Sequence, residues 1–298
     1  MPWLQLTFET TPDDAEQLSD LLSEAGASAV TFLDSADQPL YEPPVGETPL
    51  WSRTRVMGLF DAATDINHVV EQVNIELAPK PLPDWRVSPL EDKDWEREWM
   101  DNFKPMSFGE RLWIIPSWTK PPQPEATNIL LDPGLAFGTG THPTTALCLQ
   151  WLDQHSTTHG SIHYDEVIDY GCGSGILGVA AALLGAKHVW AVDNDPQAII
   201  ATHDNATKNK VAESIEAVLP EALPDIKTPL LLANILAQPL MDFAERFSQH
   251  VTPSGHIVLS GILDDQAEQV ASCYRPWFDM ATPVLLDGWV RLSGVRHQ

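Results

Sequence analysis

A glycine-rich turn between two apolar stretches constrains the fold of this 298-residue chain more than any other feature. The first stretch, residues 167–170, contains Asp169 and leads directly into the turn at residues 171–175. The second stretch, residues 189–192, ends at Asp193. Glycines at a strand-to-helix junction let the backbone approach a ligand and expose N–H groups at the start of the helix. The pattern predicts the ligand-binding corner of a doubly wound α/β domain.

Apolar strands and helices continue to alternate on both sides of this turn. Helices are predicted at residues 143–155, 176–184 and 196–209, and further apolar strands at 230–233 and 257–260. Strands this apolar, separated by helices, indicate a parallel sheet that is covered on both faces. Residues 104–298 are therefore expected to form the larger domain.

The first 90 residues have a different pattern, with short alternating strands around two amphipathic helices. Thr11 and Pro12 are typical of a helix start, and Gly26 is typical of a helix end. The element order β-α-β-β-α-β predicts a small α+β domain of the split βαβ, ferredoxin-like type. The charged, helix-prone residues 91–103 are expected to form a linker helix between this domain and the larger one.

The glycine turn by itself is compatible with two cofactors. Gly173, Gly175 and Gly178 satisfy the dinucleotide pattern G-x-G-x-x-G, and Asp193 lies 20 residues after Gly173. Asp169, however, directly precedes the turn, where a carboxylate would repel a pyrophosphate. The amino group of S-adenosylmethionine, which has no phosphate, would be attracted instead. The sequence favours the methyl donor, with Asp193 on the ribose hydroxyls, over an NAD-dependent oxidoreductase.

Asn234 follows the apolar strand at residues 230–233, and it is the predicted catalytic residue. In a doubly wound sheet this position lies near the crevice that holds the ligand. A lysine amine is charged at neutral pH, and exposing its lone pair costs roughly 4 kcal/mol. An amide oxygen that accepts a hydrogen bond from the neutral amine recovers part of that cost by positioning it.

Residues 132–145 form the most unusual segment, because they combine three glycines, two prolines and four threonines before a helix. We expect a lid over the cofactor, with Thr145 in contact with it and Phe137 as an apolar cover. His142 is either a general base or a helix cap. The segment lacks the lysine of a phosphate-binding P-loop.

The composition limits the partners of the chain. Its 17 basic and 42 acidic residues give a net charge of −25, which disfavours direct binding to nucleic acid and would attract a basic protein. Cys148, Cys172 and Cys273 are far apart, and no metal site is predicted. Because residues 1–5 lack the features of a secretory signal and no apolar run is long enough to span a bilayer, a cytoplasmic protein without membrane attachment is expected.

Three segments together resemble the ribosomal protein L-eleven methyltransferase (PrmA-like) family: residues 132–145, 169–175 and 234–237. The resemblance spans essentially the whole chain. It implies a C-terminal class I methyltransferase (Rossmann-like) domain that transfers methyl groups from S-adenosylmethionine to lysine side chains and the N-terminal amine of a basic large-subunit ribosomal protein. It also implies that the small N-terminal domain holds this substrate. The cofactor contacts that it implies are Thr145, Gly171, Asp193 and Asn234.

The residues themselves do not determine which chemical group receives the methyl. A methyltransferase for another amine or an amide remains an alternative, although enzymes that act on planar acceptors usually carry an aromatic residue after the Asn, where this chain has Ile235 and Leu236. The complete set of predicted cofactor-binding residues is Phe137, Thr145, Asp169, Gly171, Gly173, Gly175, Asp193 and Asn234.

Overall fold

The structure is a computed structural model, and it describes residues 3–36, 38, 49–90, 103–132, 142–159 and 164–298. The chain divides into two units, residues 1–100 and 101–298. The predicted cover residue Phe137 and most of the predicted linker helix lie outside the described residues. Phe103, at the end of that predicted helix, is described and is not helical.

The first unit is an antiparallel four-stranded sheet with two helices. Its strands are β1 (Trp3–Thr10), β2 (Ala29–Asp34), β3 (Thr54–Asp61) and β4 (Trp85–Leu90), and its helices are α1 (Pro12–Glu24) and α2 (Ile66–Leu77). The strand order is β2-β3-β1-β4, with every neighbouring pair antiparallel. The element order β-α-β-β-α-β agrees with the sequence prediction.

One face of this sheet packs against the two helices. Leu6 and Phe8 of β1, Leu18 of α1 and Val56 of β3 are fully buried, and Val73 of α2 is nearly so. The alternation of buried and accessible residues along β3 reflects the period of two in a strand that is covered on one side. The first unit therefore has its own hydrophobic core.

The start of α1 differs in one detail from the prediction. Thr11 occupies the N-cap position, but its side chain makes no capping hydrogen bond. Gly26 lies just after the helix with φ of +94°, as expected for a glycine at a helix end. At α2, Asp65 does cap the helix, because its carboxylate accepts from the backbone N–H groups of Asn67 and His68.

The second unit contains a large mixed sheet. Its strands are β8 (Glu166–Tyr170), β9 (His188–Val192), β10 (Ile215–Val218), β11 (Thr228–Asn234), β12 (Val251–Leu263), β13 (Phe278–Met280), β14 (Val284–Leu286) and β15 (Trp289–Arg296). The order is β10-β9-β8-β11-β12-β15-β13, and β14 also pairs with β15. Its helices are α3 (Pro143–His159), α4 (Ile176–Leu183), α5 (Pro196–Lys208), α6 (Ala237–Asp242), α7 (Ala244–His250) and α8 (Ala267–Tyr274).

The expectation of a purely parallel sheet is wrong for its last strands. The strands β8 to β12 pair with one another in parallel, but β15 runs antiparallel to β12, β13 and β14. β12 is also much longer than the four residues predicted for it. A short apolar run gives burial but not direction, and the direction follows from the hairpin that residues 284–296 form.

A third, small sheet precedes the large one and consists of β5 (Met106–Ser107), β6 (Leu112–Ile115) and β7 (Thr127–Leu130). The buried carboxylate of Asp153 on α3 holds the turn before β6. It accepts hydrogen bonds from the backbone N–H groups of Glu110, Arg111 and Leu112 at 2.8, 3.0 and 2.9 Å. Within the described residues, no helix has the length and apolar character needed to cross a bilayer.

Candidate functional site

The carboxyl ends of β8, β9 and β11 bring the sequence-predicted residues to one edge of the sheet. Asp169 lies near the end of β8, Asp193 directly follows β9, and Asn234 is the last residue of β11. The turn after β8 is tied to β9, because the backbone N–H groups of Gly171 and Cys172 both donate to the carbonyl oxygen of Val192.

The glycine turn needs glycine for its backbone conformation. Gly171, Gly173 and Gly175 have φ values of +75°, +55° and +75°, which residues with a Cβ atom rarely adopt. A Cβ atom at Gly171 would also lie 2.2 Å from Cγ2 of Ile235, which follows β11. The turn therefore packs closely against the segment that contains Asn234. Glycine is required at position 171 both by the backbone conformation and by the lack of space for a side chain.

The half-buried carboxylate of Asp193 is held by backbone donors. One oxygen, Oδ2, accepts from the N–H of Gly173 at 2.9 Å, and Oδ1 accepts from the N–H of Asp195 at 3.0 Å. Each carboxylate oxygen has two lone pairs, so both oxygens can accept one further hydrogen bond. The arrangement is suited to a pair of neighbouring hydroxyl groups.

Asp169 is only 1% exposed, and one of its two carboxylate oxygens has a hydrogen-bond partner among the described residues. Its Oδ2 accepts from the N–H of Gly178 at 2.8 Å, whereas its Oδ1 has no hydrogen-bond partner among the described residues. Burial raises the pKa of this carboxyl group from 3.8 to about 7; the Gly178 hydrogen bond opposes the rise and the negative charge of Asp193 adds to it. A buried acceptor that lacks a donor is the position at which a bound cation gains most.

Asn234 lies on the same face of the sheet as Asp169. Leu232 of β11 is directly opposite Asp169 of β8, and Asn234 is two residues further along β11, so the side chains of Asp169 and Asn234 project from one face. The Nδ2 atom of Asn234 donates to Oγ1 of Thr145 at 3.3 Å. Its Oδ1 atom is buried and has no partner within the described part of the chain.

Thr145 and His142 lie at the start of α3. Thr145 is fully buried, and its contact with Asn234 places it at the site predicted from sequence. His142 directly precedes α3, with Nδ1 at 2.7 Å from Oγ1 of Thr144 and 3.4 Å from its backbone N. Burial lowers the pKa of His142. The position and contacts are those of a helix cap, which was one of its two predicted roles.

Two residues that support the glycine turn were missed from the sequence. Thr202 and Asn205 on α5 donate to the carbonyl oxygens of Gly173 and Ser174 at 3.2 and 2.8 Å. Thr202 is fully buried. Their i, i+3 spacing places them on one face of the helix, and that spacing was the only available signal. They fix the turn against the helix that follows β9.

A doubly wound sheet of this order, with a glycine turn after β8 and an acidic residue after β9, defines the class I S-adenosylmethionine-dependent methyltransferases. A family model described as ribosomal protein L11 methyltransferase (PrmA) matches residues 2–297. The chain therefore belongs to the ribosomal protein L11 methyltransferase family, which confirms the resemblance inferred from the sequence.

Two relatives match essentially the whole chain, and one solved structure matches about two thirds of it. The chain is 52% identical over 297 residues to a ribosomal protein L11 methyltransferase of Nitrosococcus oceani, and 100% of each chain is covered. It is 54% identical over 300 residues to that of Marinobacter nauticus, with 99% of each chain covered. A crystal structure of the ribosomal protein L11 methylase from Lactobacillus delbrueckii subsp. bulgaricus is 30% identical with a TM-score of 0.58, covering 66% of this chain and all of the other.

Proposed function

We propose that this protein transfers methyl groups from S-adenosylmethionine to lysine side chains and the N-terminal amine of ribosomal protein L11. The observation that carries the proposal is the pair of buried oxygens, Asp169 Oδ1 and Asn234 Oδ1, on one face of the sheet. Neither has a hydrogen-bond partner among the described residues. Methyl transfer from this donor to an amine involves two amino groups, one on each reactant, and two such acceptors suit them.

The remaining residues would hold the donor. Asp193 would accept the ribose hydroxyls with its unused lone pairs, and the backbone around Gly171, Gly173 and Gly175 would allow close approach. Asp169 would bind the amino group of the methionine part. Thr145 and Phe137, the latter outside the described residues, complete the predicted set of contacts.

When bound, S-adenosylmethionine would supply the methyl group of its sulfonium: the amine lone pair would form the new N–C bond, the electron pair of the broken C–S bond would stay on sulfur, and the product ammonium would lose a proton to water. Asn234 would hold the neutral amine, because its oxygen accepts an N–H and cannot itself take the proton. The chain thus contributes positioning and a buried polar contact, which are large terms in such a reaction.

The first unit is proposed as the substrate-binding domain, with the ferredoxin-like arrangement that its element order supports. Helix α1 carries five acidic residues and no basic residue among its 13 positions. Such a surface would attract a basic protein and speed the encounter, and it would repel RNA. Since the proposed substrate is a ribosomal protein, we place the reaction in the cytoplasm.

The direct test is incubation of purified, unmethylated ribosomal protein L11 with this protein and S-adenosylmethionine, followed by peptide mass spectrometry. We expect increments of about 14 mass units, the replacement of hydrogen by methyl, on lysines and on the N-terminal residue. Transfer to glutamine amides instead of amines would favour the alternative acceptor. An unmodified substrate, with tight binding of NADH and none of S-adenosylhomocysteine, would refute the proposal.

A further inference from the structure

We propose that Arg291 is a specificity-determining residue that disfavours the charged form of the acceptor amine in the site, so that the bound amine is held in the neutral form that methyl transfer requires. The inference rests on the proposed function. It assigns a role to a buried cation that neither the sequence motifs nor the donor contacts include. Arg291 lies on β15, two strands away from Asn234 in the sheet.

Arg291 is a buried positive charge without a counter-ion. It is 8% exposed, and a guanidinium group stays protonated in proteins. Its Nη1 atom donates to the carbonyl oxygen of Leu147 on α3 at 3.2 Å, whereas its Nε atom is buried and has no partner among the described residues. Burial lowers the pKa of Arg291, and no carboxylate in the described part of the chain opposes this effect. An unpaired buried charge is costly for the fold, which indicates a role other than stability.

The position of Arg291 in the sheet brings it close to the proposed amine-binding oxygen of Asn234. Asn234 pairs directly with Ser260 on β12. The Oγ atom of Ser260 donates to the carbonyl oxygen of Val290, the residue before Arg291, at 3.3 Å. Because neighbouring strands are about 4.8 Å apart, two strand spacings separate Arg291 from Asn234 by about 10 Å.

The side chains of Asn234 and Arg291 both point to the face of the sheet that α3 covers. Thr145 of α3 contacts the amide of Asn234, and the carbonyl oxygen of Leu147, two residues later, accepts from Arg291. One turn of α3 therefore lies over both side chains. An amine held by Oδ1 of Asn234 would lie within range of the guanidinium charge.

A positive charge at this distance distinguishes between the two forms of a lysine amine. It repels an ammonium group, whereas a neutral amine carries no net charge to be repelled. At an effective dielectric constant of about 20, a unit charge about 10 Å away lowers the pKa of the bound amine by about one unit. A larger fraction of the complexes therefore holds the neutral amine, although the cost of removing the proton in free solution is unchanged.

The described groups that face Arg291 from neighbouring elements either have no ionisable side chain or keep one charge at alkaline pH. They lie on β12, on β14, on or just before α3, and on β8: Ser260, Val284, Cys148, His142 and Asp169. Burial raises the pKa of Cys148 to about 12, lowers that of His142, and raises that of Asp169 to about 7. The positive charge of the donor is the same in every variant of Arg291. A difference between variants at alkaline pH therefore reports on the amine.

Three variants in the full-length protein test this: Arg291→Met and Arg291→Gln, which remove the charge, and Arg296→Gln as a control. Arg296 is a half-buried arginine at the other end of β15, where it donates to the carbonyl oxygens of Ser248 and Trp277. Single-turnover methylation of L11, with the protein and donor in excess, is followed by mass spectrometry between about pH 8 and 10. The maximal rate reports the ionisation of the bound amine, and its ratio to the half-saturating protein concentration reports that of the free amine.

We expect both neutral variants to shift the pH midpoint of the maximal rate upwards by about one unit, with rates that converge on wild type at high pH. Below the midpoint, the maximal rate and the half-saturating concentration should both fall about tenfold, so their ratio should stay within about twofold of wild type. Arg296→Gln should keep the wild-type midpoint. Calorimetry of L11 binding in the presence of S-adenosylhomocysteine, in buffers of different ionisation enthalpy, should show more proton release for wild type than for the neutral variants.

Equal slowing at every pH, or a ratio that falls as much as the maximal rate, would overturn the inference, because either result is that of a structural role. A midpoint that is unchanged in both neutral variants, or that moves equally in Arg296→Gln, would also overturn it. Failure of the proposed function is a different result, in which the wild-type protein would not methylate L11 at any pH.

Discussion

Asp193 accepts a hydrogen bond from the backbone N–H of Gly173 at 2.9 Å, although the two residues are 20 positions apart. The bond joins the acidic residue after β9 to the glycine turn after β8. A second bond, from the N–H of Asp195 at 3.0 Å, holds the other oxygen. The carboxylate is thus oriented before a ligand binds, so little conformational entropy remains to be lost on binding.

Replacement of Asp193 by alanine should therefore weaken S-adenosylhomocysteine binding by about 1–3 kcal/mol, the range for hydrogen bonds to a charged group. Isothermal titration calorimetry measures the change. Asp195→Ala is the matched control, because Asp195 caps α5 through Gln197 and should affect stability rather than affinity. Equal affinity in wild type and Asp193→Ala would refute the assignment of the ribose to this residue.

Asp169 should make the stability of the free protein depend on pH. Its pKa is raised from 3.8 to about 7, so it binds a proton more tightly in the folded than in the unfolded state. The free protein should therefore lose stability as the pH rises through this window, and Asp169→Asn should remove that trend. Thermal unfolding at several pH values would measure it.

The same proton must leave before Asp169 can bind an ammonium group. Affinity for S-adenosylhomocysteine should therefore increase as the pH rises from about 5 to about 7, because the α-amino group of the ligand, whose pKa is about 8 or higher, stays charged over that range. Calorimetry in buffers of different ionisation enthalpy should show release of a proton. An Asp169→Asn variant that keeps the full pH dependence would contradict this role.

Gly171 should not tolerate alanine. The substitution imposes a left-handed backbone on a residue with a Cβ atom, which costs roughly 1–2 kcal/mol, and places that atom against Ile235. Gly26→Ala also places a Cβ atom on a residue with positive φ, of +94°, but nothing lies within 4 Å of that Cβ position, so this variant shows the effect of strain without a collision. Chemical denaturation should show a larger loss for Gly171→Ala, and adding Ile235→Ala should recover the difference. Equal losses for the two glycine variants would exclude a steric role.

Asp153 should be important for folding and not for chemistry. Asp153→Asn keeps the size but places an amide before three backbone N–H donors, which should lower the free energy of unfolding by about 2–3 kcal/mol. Urea denaturation measures this loss. Asp165→Asn, in an exposed ion pair with Lys187, should leave stability unchanged. If the two variants were equally stable, the three hydrogen bonds would not be holding the turn.

Removal of residues 1–90 should separate donor binding from substrate binding. The second unit has its own sheet and core, so it should still bind S-adenosylhomocysteine, whereas methylation of L11 should fall below detection. Calorimetry and mass spectrometry give the two measurements. Full methylation by the shortened chain would show that the first unit does not hold the substrate.

The sequence determined the class of fold and the region of the site. Three glycines with positive φ, preceded by Asp169 and followed by Asp193, already define a strand, a turn and a second strand, because few other residues tolerate that backbone. The apolar runs located β8, β9 and β11 within one or two residues. The resemblance carried by the three motif segments determined the family, which the family model confirms.

Only the tertiary structure decided the hydrogen-bond partners of individual side chains and the direction of the last strands. The roles of Asp153, Thr202 and Asn205 depend on backbone groups that lie 29 to 43 positions away in the chain. The reversed direction of β15 depends on its hairpin partner, β14, and not on its own composition. The hydrogen-bond partner of the Asn234 side chain is Thr145, 89 positions earlier. A local pattern encodes conformation and burial, whereas hydrogen-bond partners that are distant in sequence exist only once the chain has folded.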